Sequence, residues 1–147
     1  MGSSKAYTLI PNRVILVQNI GDLTADNFHA VDIEIIALMQ SATNQHSDKV
    51  NVLVDCTEMT NLPNITELEG GRVLKYFKES NCGWTMVVGY RSNPFLVVLS
   101  RLLTTVMGSQ LHFAHTLRDA ELQIKQLEPN LTDIPNIEIW KAEQIKS

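Results

Sequence analysis

The side chains that could do chemistry in this chain of 147 residues are few, with only two cysteines and four histidines among them. A nucleophilic thiol needs a base beside it, and no histidine falls near Cys56, which closes one predicted strand. Cys82 precedes the next predicted strand, so in parallel neighbours the two sulfurs belong to opposite edges, roughly 20 Å apart at ~3.3 Å per residue. A disulfide requires Cα atoms within ~7 Å. Both cysteines are therefore expected as free thiols, as in cytoplasmic proteins. Zinc needs converging nitrogen and sulfur ligands. His29 falls on a predicted helix, His46 in a loop, and His112 and His115 three apart on a strand, hence on opposite faces. No metal site and no cofactor is expected. Glycine-rich phosphate loops, Gly-x-Ser-x-Gly elbows and His-Glu-x-x-His are absent, so the sequence predicts no enzyme.

Binding is better served. Arg91, Ser92 and Asn93 stand immediately before Pro94, where asparagine can cap a helix and proline can begin it. Free backbone N–H groups and the helix dipole add there to the arginine charge, which suits phosphate or an acidic lipid headgroup. Thr57 and Thr66 belong to the same edge, beyond the carboxyl ends of the strands, where open α/β sheets bind ligands. The candidate anion site is thus Arg91, Ser92, Asn93, Thr57 and Thr66. Arg72, Lys75 and Lys78 form a basic stripe at spacing three on a predicted helix. Asp22, Asp26, Asp32 and Glu34 read as helix-start charges and a solvated face.

The elements that must position these residues follow from periodicity. Ala6–Ile10 and Arg13–Asn19 are β-rich runs joined by Pro11-Asn12, which predicts a hairpin. Thr24 caps a helix to about Thr43, with Leu23 and Phe28 in the staple positions and Phe28, Val31, Ile35, Leu38, Met39 and Ala42 facing inward. Val50–Cys56 and Gly83–Tyr90 read as inner strands covered on both faces. Helices are predicted over Ile65–Glu79, interrupted by Gly70-Gly71, and over Pro94–Met107, ending at Gly108. Leu111–His115 is a short strand. Thr116 then caps a last helix to Leu127, with Asp119 three residues on and Leu117, Ala120, Ile124 and Leu127 inward. Strands separated by helices require crossovers, so strands two to five should run parallel. The expected fold is α/β: a β-hairpin and then βα units, giving a mixed, mainly parallel five-stranded sheet with four helices. Residues 1–128 form the domain. The segment 129–147, carrying Leu131, Ile134, Ile137, Ile139, Trp140 and Ile145, is a tail expected to dock on the domain or on a partner subunit.

Composition sets the outer limits. Lys and Arg number 12 against 16 Asp and Glu, a net charge of −4, which argues against a general nucleic-acid binder. Charged residues make up 19% of the chain, below the ~25% of an average soluble domain. The first residues carry no apolar leader, and the longest apolar run, Pro94–Met107, falls short of the ~20 residues that span a bilayer. No transmembrane segment is expected, and the location is read as cytoplasmic. Within Pro94–Met107, Phe95, Val98, Leu99, Leu102 and Val106 make one apolar face, while Leu96, Val97, Leu103 and Met107 leave little polar surface. A helix apolar nearly all round is buried on several sides. The expected cover is a second subunit or the tail; homodimerisation through this helix is predicted, with Phe95, Leu96, Val97, Leu99, Leu103, Met107 and Trp140 as the dimer or partner interface.

The ββαβαβαβα order, the run Val50-Asn51-Val52-Leu53-Val54-Asp55 and the unit Leu111–Leu127 together resemble the STAS fold, the anti-sigma-factor-antagonist-like domain, in its STAS/SEC14-like branch. The resemblance covers roughly Ala6–Leu127. It implies strands laid down in sequential order and a non-enzymatic regulatory or protein-interaction module. Its Sec14-related branch implies the alternative of a carrier for a small apolar or lipid-like ligand. Antagonists of this family carry a phosphorylatable hydroxyl in an Asp-Ser-Ser-Gly-like stretch at the start of the second helix. Met59–Glu67 holds no such stretch here; Thr66 is the nearest hydroxyl and the candidate phosphoacceptor.

Overall fold

Pro11 and Asn12 reverse the chain, and Asn12 takes φ 63°, a left-handed conformation that asparagine tolerates better than most residues. On either side, β1 (Ser3–Ile10) and β2 (Val14–Asp22) pair antiparallel. The computed structural model describes residues 2–42, 48–61, 75–89, 101, 104 and 108–145. Beyond the hairpin come α1 (Ala25–Ser41), β3 (Val50–Asn61), a 3₁₀ turn at Tyr76–Lys78, β4 (Cys82–Val88), β5 (Leu111–Ala114), α2 (Leu117–Leu127) and α3 (Ile137–Gln144). The five strands form one sheet in the order β1-β2-β3-β4-β5, with β2 to β5 parallel. One row across it reads Leu16, Leu53, Met86, His112. This is the mixed α/β sheet that the run of motifs predicts.

Alternation along the strands splits the core in two. Ile15, Val17, Val50 and Val52 meet Val31, Ile35 and Met39 of α1 on one face. Val14, Leu16, Leu53, Trp84, Met86 and Val88 meet Leu117, Ala120 and Ile124 of α2 on the other. α1 is a crossover between parallel strands, whereas α2 follows the last strand and so is free to cover the opposite face. Residues beyond α2 share that face: Ile137 is fully buried, and Leu131, Ile134, Trp140 and Ile145 pack against the same cluster.

The helix starts agree with their sequence signals. The Thr24 side chain accepts from Asn27 N, and the Asn27 side chain accepts from the Thr24 backbone in return. Thr116 Oγ1 accepts from Asp119 N. Several expectations are corrected. Three α-helices are described from end to end, and one of them, α3, lies in the segment read as a tail. The C-terminal end of the predicted helix Ile65–Glu79 is a 3₁₀ turn, because Tyr76 N donates to the carboxylate of Asp32 instead of continuing a helical ladder. Asp32 is accordingly buried, not part of a solvated face. β3 runs on to Asn61, past Cys56, because β2 also continues to Asp22 and supplies partners for its polar end. Of the predicted helix Pro94–Met107, only Arg101 and Thr104 are described; both are helical and exposed.

Two polar clamps fasten the face shared by α2 and α3. At the amino ends of the strands, Glu128 follows α2 and accepts from Arg13 Nη2 at 2.9 Å, Trp84 Nε1 at 3.1 Å and Asn51 Nδ2 at 3.3 Å. Asn51 Oδ1 also accepts from Trp84 N. The Asn51 carboxamide crosses where a Cβ on residue 83 would stand, so glycine is required there. The second clamp lies at the carboxyl ends.

Candidate functional site

Midway along β3, at the last row it shares with β4, Asp55 lies between Gln18 of β2 and Val88 of β4 and has no solvent exposure. Its parity puts it on the face of Leu53, under α3. A buried carboxylate is costly unless it is hydrogen-bonded and paired. Here both oxygens are occupied. Thr57 donates to Oδ1 from its backbone N at 2.9 Å and from Oγ1 at 2.6 Å. Lys141 Nζ, from α3, donates to Oδ2 at 2.7 Å. The same ammonium pairs with Glu58 Oε2 at 2.8 Å, and Gln18 Nε2 of β2 donates to that oxygen at 2.9 Å. Asp55, Glu58, Gln18 and Lys141 thus converge where open α/β sheets usually place ligands. Gly89 closes the neighbouring corner at φ 96°, where a Cβ would press on the backbone of Cys56 and Thr57.

Electrostatics follows from this packing. Burial of Lys141 opposes its charge, but its hydrogen bonds to Asp55 and Glu58 and their charges outweigh that effect, and its pKa is raised. On the α1 side of the same strand, burial pushes the Cys56 thiol up to about 12. A hydrogen bond from Asn19 Nδ2 at 3.5 Å opposes the shift, and the charge of Asp55 adds to it. Burial likewise raises Cys82 to about 11. Both cysteines are free and buried. At neutral pH neither sulfur offers a thiolate. No group of three or more His, Cys, Asp or Glu among the described residues is arranged to hold a metal ion.

The structure places Thr57 in this cluster, but facing a carboxylate, with its hydroxyl and N–H both committed to Asp55. Arg91, Ser92, Asn93 and Thr66 lie outside the described residues, as do Phe95, Leu96, Val97, Leu99, Leu103 and Met107. Trp140 packs within its own chain, edge-on to Tyr7 with ring centroids 6.3 Å apart and planes at 80°. Beside it, a groove of about 440 Å³ opens between the hairpin and the segment before α3, walled by Leu9, Ile10, Arg13, Leu131, Pro135 and Trp140.

Lys141, Glu58 and Gln18 are the members of the site that sequence reasoning did not find. A signal for α3 existed: Asn136 caps it, its side chain accepting from Ile139 N, and Ile137, Trp140 and Lys141 follow at helical spacing. Nothing in the sequence pairs Lys141 with Asp55, which requires the docked geometry of α3. No helix among the described residues is long and apolar enough to cross a membrane. No protein-family model and no curated protein matches the chain.

Proposed function

We propose that this chain is a non-enzymatic regulatory or protein-interaction module of STAS-like architecture that acts as a cytoplasmic homodimer. One observation carries the reading: at the sheet edge where a ligand or substrate would sit, the Asp55 carboxylate is wholly engaged by Thr57 and by Lys141 of α3. An acid–base residue needs an oxygen to offer a substrate, and a nucleophilic cysteine needs a thiolate. Asp55 has both oxygens committed, and the neighbouring Cys56 stays protonated at neutral pH. The edge holds segments together. The STAS-like assignment is supported by the sequential strand order with an antiparallel first pair. Without an Asp-Ser-Ser-Gly stretch in Met59–Glu67, the module is read as a relative of the antagonists that lacks their usual phosphoacceptor motif. Dimer formation is supported by the sequence of Pro94–Met107, which is apolar nearly all round. Two free thiols suit the cytoplasm.

The groove beside Trp140 favours a second reading, a carrier of a small apolar or lipid-like molecule, because its volume falls in the ~300–1,000 Å³ range of ligand pockets. Native mass spectrometry of the purified chain separates the two. The interaction module gives the mass of two chains with no small molecule retained. A single chain carrying an apolar compound would replace it with the carrier, and a single bare chain would overturn the dimer.

A further inference from the structure

The ion pair on β3 beside the carboxyl end of β4 has the construction of a recognition site whose occupant is borrowed from the chain itself. Its acceptors are set by strand residues alone. Thr57 fixes one oxygen of Asp55 and so aims the other at α3, and Gln18 orients Glu58. Sites with such support are organised before their ligand arrives. The Lys141 ammonium fills this site incompletely. Two carboxylates take its hydrogens, while Gln18 Oε1, in a side chain only 2% exposed, is buried and accepts from nothing. An unused buried acceptor on the side chain that shares a Glu58 oxygen with Lys141 marks a place that a primary ammonium approaching from a slightly different position would satisfy better.

The occupant also has no stability of its own. α3 has eight residues, below the ~12–15 at which an isolated helix becomes even marginally stable, so tertiary contact alone maintains it. Ile137 is its one fully buried side chain; Trp140 is half-buried, and Ile139 is 56% exposed. It joins α2 through a stretch with no regular structure whose Pro129, Asn130, Thr132 and Asp133 are exposed.

We propose that α3 is a displaceable strap, and that the face beneath it is a docking groove for a short amphipathic partner segment carrying a lysine. The partner's ammonium replaces that of Lys141 among Asp55, Glu58 and Gln18, and its apolar side chains take the places of Ile137 and Trp140. The choice of occupant rests on charge complementarity: two carboxylates and one spare acceptor at the end of an apolar groove select a cationic side chain over a neutral one. This deepens the interaction-module reading and rests on it.

The test keeps the strap in place during folding. A specific protease site is inserted between Thr132 and Asp133 of the full chain, which is purified folded and then cleaved. The probe is a labelled synthetic peptide with the sequence of residues 134–145, compared with the same peptide bearing glutamine at the lysine position. Exchange is followed by fluorescence anisotropy. The strap predicts that the lysine peptide enters and that the glutamine peptide competes about 30-fold worse, as expected for losing one partner of a buried charge pair. A Gln18→Leu chain should still bind the lysine peptide but discriminate less between the two. Equal affinity for both peptides, or no exchange after complete cleavage, would overturn the proposal. Either result leaves the dimer mass untouched, so the strap can fail without the interaction module failing.

Discussion

Cys56, Cys82, Tyr76 and Lys141 all bind their protons more tightly in the folded chain than outside it, three because burial disfavours the charged form and Lys141 because two carboxylates hold it. The unfolded chain gives up these protons first, from about pH 8.5 for thiols and about pH 10 for tyrosine and lysine. Stability is therefore fully present below about pH 8 and falls progressively as pH rises toward the folded values, about 11 for Cys82 and about 12 for Cys56. Urea midpoints measured from pH 7 to pH 11 should be level at first and then decline. A Cys56→Ala chain should decline less steeply, whereas a midpoint that rises with pH would contradict the burial of these groups. The thiols were legible as free from their places at opposite edges. Asp32 was not legible as buried, since its role depends on Tyr76 N, which lies 44 positions away in the chain.

At the scale of elements, the clamp on Glu128 joins the end of α2 to the amino ends of β2, β3 and β4. Three donors from three elements converge on one side chain that is 22% exposed. Glu128→Ala leaves the Trp84 indole N–H, the Asn51 amide and the Arg13 guanidinium short of an acceptor, and should cost about 3 kcal/mol in urea unfolding. The indole N–H resonance of Trp84 should move in the same variant. A loss below about 0.5 kcal/mol would mean that apolar packing alone holds α2. Caps and periodicity made α1 and α2 readable, because Thr24 and Thr116 act on neighbours within one turn. α3 is harder to read, because the apolar residues of 129–147 suit a docking tail as well as a helix, and the Asn136 cap that starts it is a short local signal. The extension of β3 to Asn61 was hidden for a different reason: its last residues are polar, and they are held in the sheet by pairing with β2.

Across the whole molecule, the pair Asp55–Lys141 ties an inner strand to the last helix, over 86 positions of chain. Strand direction could be derived from connection lengths, whereas the sequential order was implied only by a resemblance. Of the residues expected to bind an anion, Thr57 instead gives its hydroxyl to the carboxylate of Asp55, which holds the ammonium of Lys141, while Arg91, Ser92, Asn93 and Thr66 lie outside the described residues. Local patterns do not show which distant side chain arrives at an edge, because that depends on how the segment after α2 crosses the sheet face. Asp55 and Lys141 are expected to act as one energetic unit that closes this face. The direct measurement is a double-mutant cycle in urea with Asp55→Asn, Lys141→Met and the pair together. Each single variant should lose about 3 kcal/mol, and the double should lose about 2 kcal/mol less than the sum, because neither charge is then left buried alone. Losses that add to within about 0.5 kcal/mol would show the two residues to be independent, and would contradict the reading of this edge as the fastening of α3.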